Sequence, residues 1–388
     1  MDAADTRLRP PPLSLYVHLP WCVRKCPYCD FNSHELKGEL PAAPYVDALL
    51  HDLEQDLPLA WGRPVRSVFI GGGTPSLFPA AEIARLLSGI AARLPLHPGC
   101  EVTLEANPGT TEHDSFAAYR DAGINRVSLG VQSFDDGCLQ RIGRIHGADE
   151  ARRAIEAVRA AGLDNFNIDL MYALPGQDLE MARADINEAL AFEPAHLSHY
   201  QLTLEPNTAF AARPPPLPDD EVAWDMQCAA ADLLEAAGYE AYEVSAWARP
   251  GRRCVHNLNY WRYGDFIGIG AGAHGKLTEA AADRVWRTAR QRHPRRYLDA
   301  AGGPEAVAER RALDAGERRF EFFLNRLRLS DHLRAQDFEA RTGLPWSAAE
   351  GPVAEAEQRG LLDADDEGWR TTPLGRRFLN DLQGLFLP

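Results

Sequence analysis

Cys22, Cys26 and Cys29 are the residues of this chain whose types and spacing ask most directly for chemistry. They form CxxxCxxC just after the apolar run Leu13 to Leu19, with Tyr28 inside the motif and Trp21 and Phe31 beside it. Three thiolates on a loop can converge on three irons of one 4Fe-4S cubane, leaving the fourth iron open to a small molecule. The alternative, a tetrahedral zinc, asks for a fourth ligand such as His18 or His34. The chain has seven cysteines, and the other four, Cys100, Cys138, Cys228 and Cys254, are scattered. In a reducing compartment an odd, clustered set points to a metal and not to disulfides.

Further polar or glycine-rich features recur at intervals down the chain. Gly71-Gly72-Gly73-Thr74-Pro75 closes an apolar run, where absence of Cβ lets a ligand reach the backbone and Pro75 stiffens the exit. Glu105, Gln132, Arg144 and Asp169 then fall at or just beyond successive strand ends, and each alone could be an ordinary hydrogen-bonded strand-end group. A different cluster, Cys254-Val255-His256-Asn257-Leu258-Asn259-Tyr260-Trp261, sets an imidazole beside aromatic rings. Taken alone, a His-Asn pair beside aromatics is more often a packed hydrogen-bonding element. CxxCH is absent from the sequence, so covalent c-type attachment at such a motif is not supported.

These residues need a scaffold that brings loop ends together. From Leu13 to about Glu243, short β-rich runs (Leu13–Leu19, Val65–Ile70, Glu101–Ala106, Arg126–Gly130, Phe166–Leu170, His196–Leu204) alternate with helix-period stretches, which is the βαβ pattern of a parallel sheet. Six units predict an α/β fold, an open (β/α)6-type partial barrel whose active face is the carboxyl end of the strands. The expected division is a barrel over 1–277, a polar, Arg-rich linker over 278–304 and a small helical, winged-helix-like domain over 305–388. The formal charge of −15, from 41 Lys+Arg against 56 Asp+Glu, opposes binding to nucleic acid. With neither a leader-like run nor a long apolar span, the sequence reads as cytoplasmic.

Tyr16 to Phe31, YVHLPWCVRKCPYCDF, followed by Phe69 to Phe78, FIGGGTPSLF, resembles the radical S-adenosylmethionine superfamily and its anaerobic coproporphyrinogen-oxidase-like branch. The resemblance implies a 4Fe-4S cluster on the three cysteines and S-adenosylmethionine contacts from Tyr16, Tyr28, Gly72, Gly73, Thr74, Glu105, Gln132, Arg144 and Asp169. Decarboxylating members carry a further cysteine where this chain has Phe31, and a long arm before the cluster loop where it has 21 residues. HNLNYW instead resembles the HemW-type heme chaperones. That implies heme held noncovalently, heme-receiving respiratory proteins as partners and at most transient membrane association; since imidazole suits heme iron, His256 is the candidate ligand, with His18, His146, His199 and His274 as competitors. The alternative is oxygen-independent decarboxylation of coproporphyrinogen III.

Overall fold

The computed structural model describes residues 8–109 and 114–388. Seven strands run parallel: β1 (Leu13–Leu19), β2 (Val65–Gly72), β3 (Leu96–Ala106), β4 (Arg126–Gln132), β5 (Phe166–Tyr172) and β6 (His196–Gln201), with a later strand beyond β1. On the β6 side the sheet continues through β8 (Ala246–Ala248) and, at that edge, β7 (Glu240–Glu243). On the β1 side it continues through β9 (Asp265–Ile269), the seventh parallel strand, then β10 (His274–Glu279), β11 (Arg284–Arg290) and β12 (Val307–Ala312). The result is an open sheet of twelve strands, curved but not closed.

Alternation along each strand decides which face does what. In β1, Leu13, Leu15, Val17 and Leu19 are fully or almost fully buried and pack outward with Tyr45, Val46, Leu49 and Leu53 of helix α1 (Ala42–Ala60). Burial of each such side chain contributes about 1.5–3 kcal/mol, so this outer face carries the fold. Ser14, Tyr16 and His18 point the other way, and the inner face is correspondingly polar. Helices α2 (Ala80–Ala91), α3 (Ala148–Ala160), α4 (Leu179–Ala191) and α5 (Asp220–Ala236) lie between strands. Asp178 and Asp219 cap α4 and α5 by accepting from the backbone N–H of Met181 and Val222.

A short helix, α6 (Val255–Trp261), lies beneath the amino ends of the strands. Glu101 of β3 accepts from the backbone N–H of Val255 (3.2 Å) and His256 (3.1 Å), which suits a carboxylate at a helix start.

The carboxyl-terminal unit begins where Asp314 and Glu317 form a reciprocal capping pair (2.8 and 3.0 Å) at the head of α7 (Ala315–Arg326). Helices α8 (Ala335–Thr342) and α9 (Glu350–Gln358) follow, then an antiparallel hairpin of β13 (Leu362–Asp365) and β14 (Gly368–Thr371), giving a winged-helix-like order around Phe322, Phe323, Phe338 and Phe386.

The stretch expected as a linker, 278–304, is instead built into the sheet: it contains β11 and the helix Pro294–Ala300, and the sheet runs on to Ala312. Its arginines misled the reading because their partners lie far away in sequence. Arg290 is buried between Asp52 (2.8 Å) and Asp56 (2.6 Å) of α1, and Arg287 grips Glu321 of α7 (2.8 Å).

Candidate functional site

The cysteine loop leaves β1 at the carboxyl end of the sheet and is held there by backbone bonds. The N–H of His34 donates to Pro20 and that of Leu36 to Cys22 (2.7 and 2.8 Å), closing the loop into a short two-strand clip. Cys22, Cys26 and Cys29 are half-buried, unpaired, and line one cavity of about 320 Å³. Burial, opposed by a hydrogen bond from Thr74, pushes the Cys22 thiol up to about 11, and burial raises Cys29 as well, so metal uptake here displaces protons. Arg144 brings its guanidinium to 3.7 Å from Cys26 Sγ, a fixed positive charge facing what thiolate ligands would make a negative centre. Among the described residues no three His, Cys, Asp or Glu side chains gather tightly enough for a single metal ion. Thiols spread around one loop, with a cation behind them, fit the donor set of a cubane.

The glycine turn is required first by the protein itself. Gly72 has φ +119°, and a Cβ there would meet the His18 ring at 2.6 Å; a Cβ on Gly73 would lie 2.5 Å from the Trp21 carbonyl oxygen. The N–H of Gly73 donates to Leu19 and that of Thr74 to Trp21 (2.8 and 2.7 Å), so the turn fastens β2 to the start of the cysteine loop. Gly72, Gly73 and Thr74 still line the cavity.

Four further side chains meet across it. Glu105 accepts from the Gly72 N–H (3.0 Å), and burial, aided by Asp169, lifts its carboxyl to about 7 despite that bond. Gln132 sits at φ +72°, a left-handed conformation that a non-glycine residue holds only under constraint, and its Oε1 accepts from Tyr200 OH (2.7 Å). Arg144 donates to Asn107 Oδ1 (2.5 Å) and the Gly130 carbonyl (2.6 Å). Asp169 accepts from Ser128 (3.1 Å) and Asn167 (2.7 Å), and burial raises its carboxyl too. Tyr28 completes the wall. Cys22, Cys26 and Cys29 would hold a 4Fe-4S cluster, which when bound would supply electron-transfer chemistry, and the residues present fit S-adenosylmethionine beside it, with thiols at one end and carboxylates at the other for amine or ribose groups.

Two expected site residues lie elsewhere. Tyr16 faces a second, neighbouring cavity, donating or accepting at His18 Nδ1 (2.9 Å). His256 lines neither cavity: it is 3% exposed at the opposite end of the strands, bonded to Ser67 Oγ (3.0 Å), four residues or about 13 Å of strand from Gly71. Burial, then Arg126, depresses its imidazole to about 3. It is drawn there because α6 inserts beneath the barrel, packing His256 between the tilted rings of Phe69 and Tyr260 at 5.0 Å each. Asn107, Ser128, Met171 and Tyr200 also line the cysteine cavity and were not singled out from sequence. Period-two alternation from Glu105, Asp169 and His196 finds three of them: Asn107, Met171 and Tyr200.

An open parallel sheet whose first strand runs into a three-cysteine loop defines the radical S-adenosylmethionine class, and the family model described as the Radical SAM superfamily matches residues 16–189. The HemN C-terminal domain model matches residues 313–378. The chain is 51% identical over 377 residues to the Escherichia coli (strain K12) "Heme chaperone HemW", covering 97% of this chain and 98% of that one. It is 48% identical over 381 residues to the Haemophilus influenzae protein of the same name, covering 97% and 98%. The chain therefore belongs to the HemW family. Its fold is similar to that of the structure titled coproporphyrinogen III oxidase (HemN) from Escherichia coli, with a TM-score of 0.81, 24% identity, and coverage of 98% of this chain and 91% of that one.

Proposed function

We infer that this chain binds heme and passes it to heme-requiring respiratory proteins, carrying a 4Fe-4S cluster on Cys22, Cys26 and Cys29 and S-adenosylmethionine among Gly72, Gly73, Thr74, Glu105, Gln132, Arg144 and Asp169. The observation that carries this reading is identity of 51% along 97% of the chain to a protein named as a heme chaperone. The geometry supports it with a second cavity of about 860 Å³ that shares Gly72 and Glu105 with the cysteine cavity, room for a cargo beside the cofactor. Phe31, which stands 60% exposed at the junction, offers no thiol for the decarboxylation chemistry of the alternative reading.

No helix of the described residues is long and apolar enough to cross a membrane. We place the chain in the cytoplasm, where seven unpaired cysteines are stable, touching a membrane only when it meets a recipient.

Anaerobically reconstituted protein titrated with hemin should develop a shifted Soret band and then lose it to an apo-cytochrome. Incubation with coproporphyrinogen III, dithionite and S-adenosylmethionine should yield no vinyl product. Absence of hemin binding, or appearance of that product, overturns the reading.

A further inference from the structure

The inner face of the sheet does not end at β1. It continues over β9, β10, β11 and β12 and floors the 860 Å³ cavity, near the top of the range of about 300–1,000 Å³ ordinary for ligand sites. The strands can close up here because position 268 has no side chain: a Cβ on Gly268 would lie 1.9 Å from the His274 carbonyl oxygen. In register, His274 pairs with Ala289 and Lys276 with Arg287, so all four share one face and line the cavity.

Its lining is mixed, with Asp30, Glu105 and Glu309 among the acidic groups. One wall is aromatic, made by Tyr260 and Phe266, whose rings stack on each other at 4.1 Å. Among the cationic groups, Lys276 is already bound to Asp265 (3.0 Å) and Arg287 to Glu321 (2.8 Å). The side chains of Arg292 and His274 make no hydrogen bond or ion pair among the described residues, and both are exposed on the cavity rim. The other histidine of this cavity, His18, has both ring nitrogens engaged, by Tyr16 OH (2.9 Å) and the Asn32 carbonyl (3.0 Å). An uncommitted imidazole, an uncommitted guanidinium and an aromatic wall together suit a planar, metal-bearing macrocycle with carboxylate arms.

We propose that heme is held in this second cavity, with His274 as its iron ligand, Tyr260 and Phe266 against the macrocycle and Arg292 on a propionate. The proposal rests on the heme-chaperone reading and adds where the cargo sits. It assigns the HNLNYW motif a wall residue, Tyr260, in place of an iron ligand. Burial, then Arg287 and Arg292, opposed by Glu309, holds the His274 imidazole below its ordinary range, which favours the neutral form that ligates.

The test is hemin titration of wild type, His274→Ala and Ala289→Trp, each repeated with metal-free protoporphyrin. His274→Ala should lose the imidazole-type Soret shift and bind hemin about tenfold more weakly, one decade in Kd, with metal-free porphyrin affinity little changed. Ala289→Trp, which fills the floor, should lose both ligands while keeping its iron content and far-ultraviolet dichroism. If wild type binds hemin and His274→Ala gives the same spectrum and affinity, His274 is not the ligand. If Ala289→Trp binds hemin as wild type does, the cavity is not the site. If wild type itself binds no hemin, the chaperone reading fails and this inference with it.

Discussion

The two ends of the parallel strands are built from the same kinds of residue and put to opposite uses. At the amino end, Ser14, Ser67, Glu101, Arg126, Asn167, His196 and His256 are all buried; most of their polar groups meet one another, while Arg126 Nε and His256 Nε2 have no hydrogen-bond partner among the described residues. Ser14 meets Ser67 (2.8 Å), Ser67 meets His256 (3.0 Å), and His196 is bracketed by Asn167 (2.6 Å) and Tyr242 (2.7 Å). At the carboxyl end, Glu105, Arg144 and Asp169 are also bonded to the protein, Arg144 to Asn107, Gly130 and Cys26, but they line a cavity. Residue type therefore does not separate support from function in this fold; whether the polar group faces a cavity or the packed interior does.

The sharpest way to break this contrast is at the thiols. Cys22, Cys26 and Cys29 replaced together by Ser should leave folded protein with no iron, against about four irons per chain in wild type. Replacing Cys100, Cys138, Cys228 or Cys254 singly should change nothing in an iron and sulfide assay. Loss of iron in Cys254→Ser, at the amino end, would erase the distinction between the two ends.

Next in size is the amino end. Glu101→Ala leaves the Arg126 guanidinium, 2% exposed, without its carboxylate and strips α6 of its amide acceptor. Removing one partner of a buried charge pair costs about 3–5 kcal/mol, so denaturant unfolding should show a large loss. S-adenosylmethionine affinity of the folded fraction, measured by calorimetry, should hold; a selective loss of affinity without loss of stability would contradict the division.

A third prediction concerns proton uptake at the carboxyl end. Glu105 is lifted by burial from 4.5 to about 7, so the folded state keeps a proton that the unfolded state has released. Stability from this group is present below pH 4.5 and is lost as pH rises to about 7. Cofactor-free Glu105→Gln should show a flatter stability profile over that window, and identical slopes for mutant and wild type would exclude Glu105 as the source. Smallest of all, Tyr200→Phe removes the single bond to Gln132 and should weaken S-adenosylmethionine by roughly 1 kcal/mol. An unchanged titration would detach the strained Gln132 from the cofactor wall.

Much of the barrel was legible in the chain because its signals are local. The run Leu13 to Leu19, the cysteine spacing and the glycine turn each declare themselves within a dozen residues, and the structure sets Cys22, Thr74, Glu105 and Asp169 around one cavity. The strands from β9 onward were less legible. RVWRTAR reads as solvated text, yet Arg290 is buried by carboxylates 238 and 234 positions earlier, a pairing that no window on the sequence contains. His256 failed as a cavity residue for a related reason. Its neighbours Tyr260 and Trp261 gave it an aromatic setting, but which end of the strands α6 would close was decided by Glu101, far back in β3.

Gly72 and Glu105 belong to both cavities, so coupling between the two compartments would need no relay, only a change at that shared wall. An occupant on one side that moved or ionised Glu105 would alter affinity on the other, and linkage requires the factor to be equal in both directions.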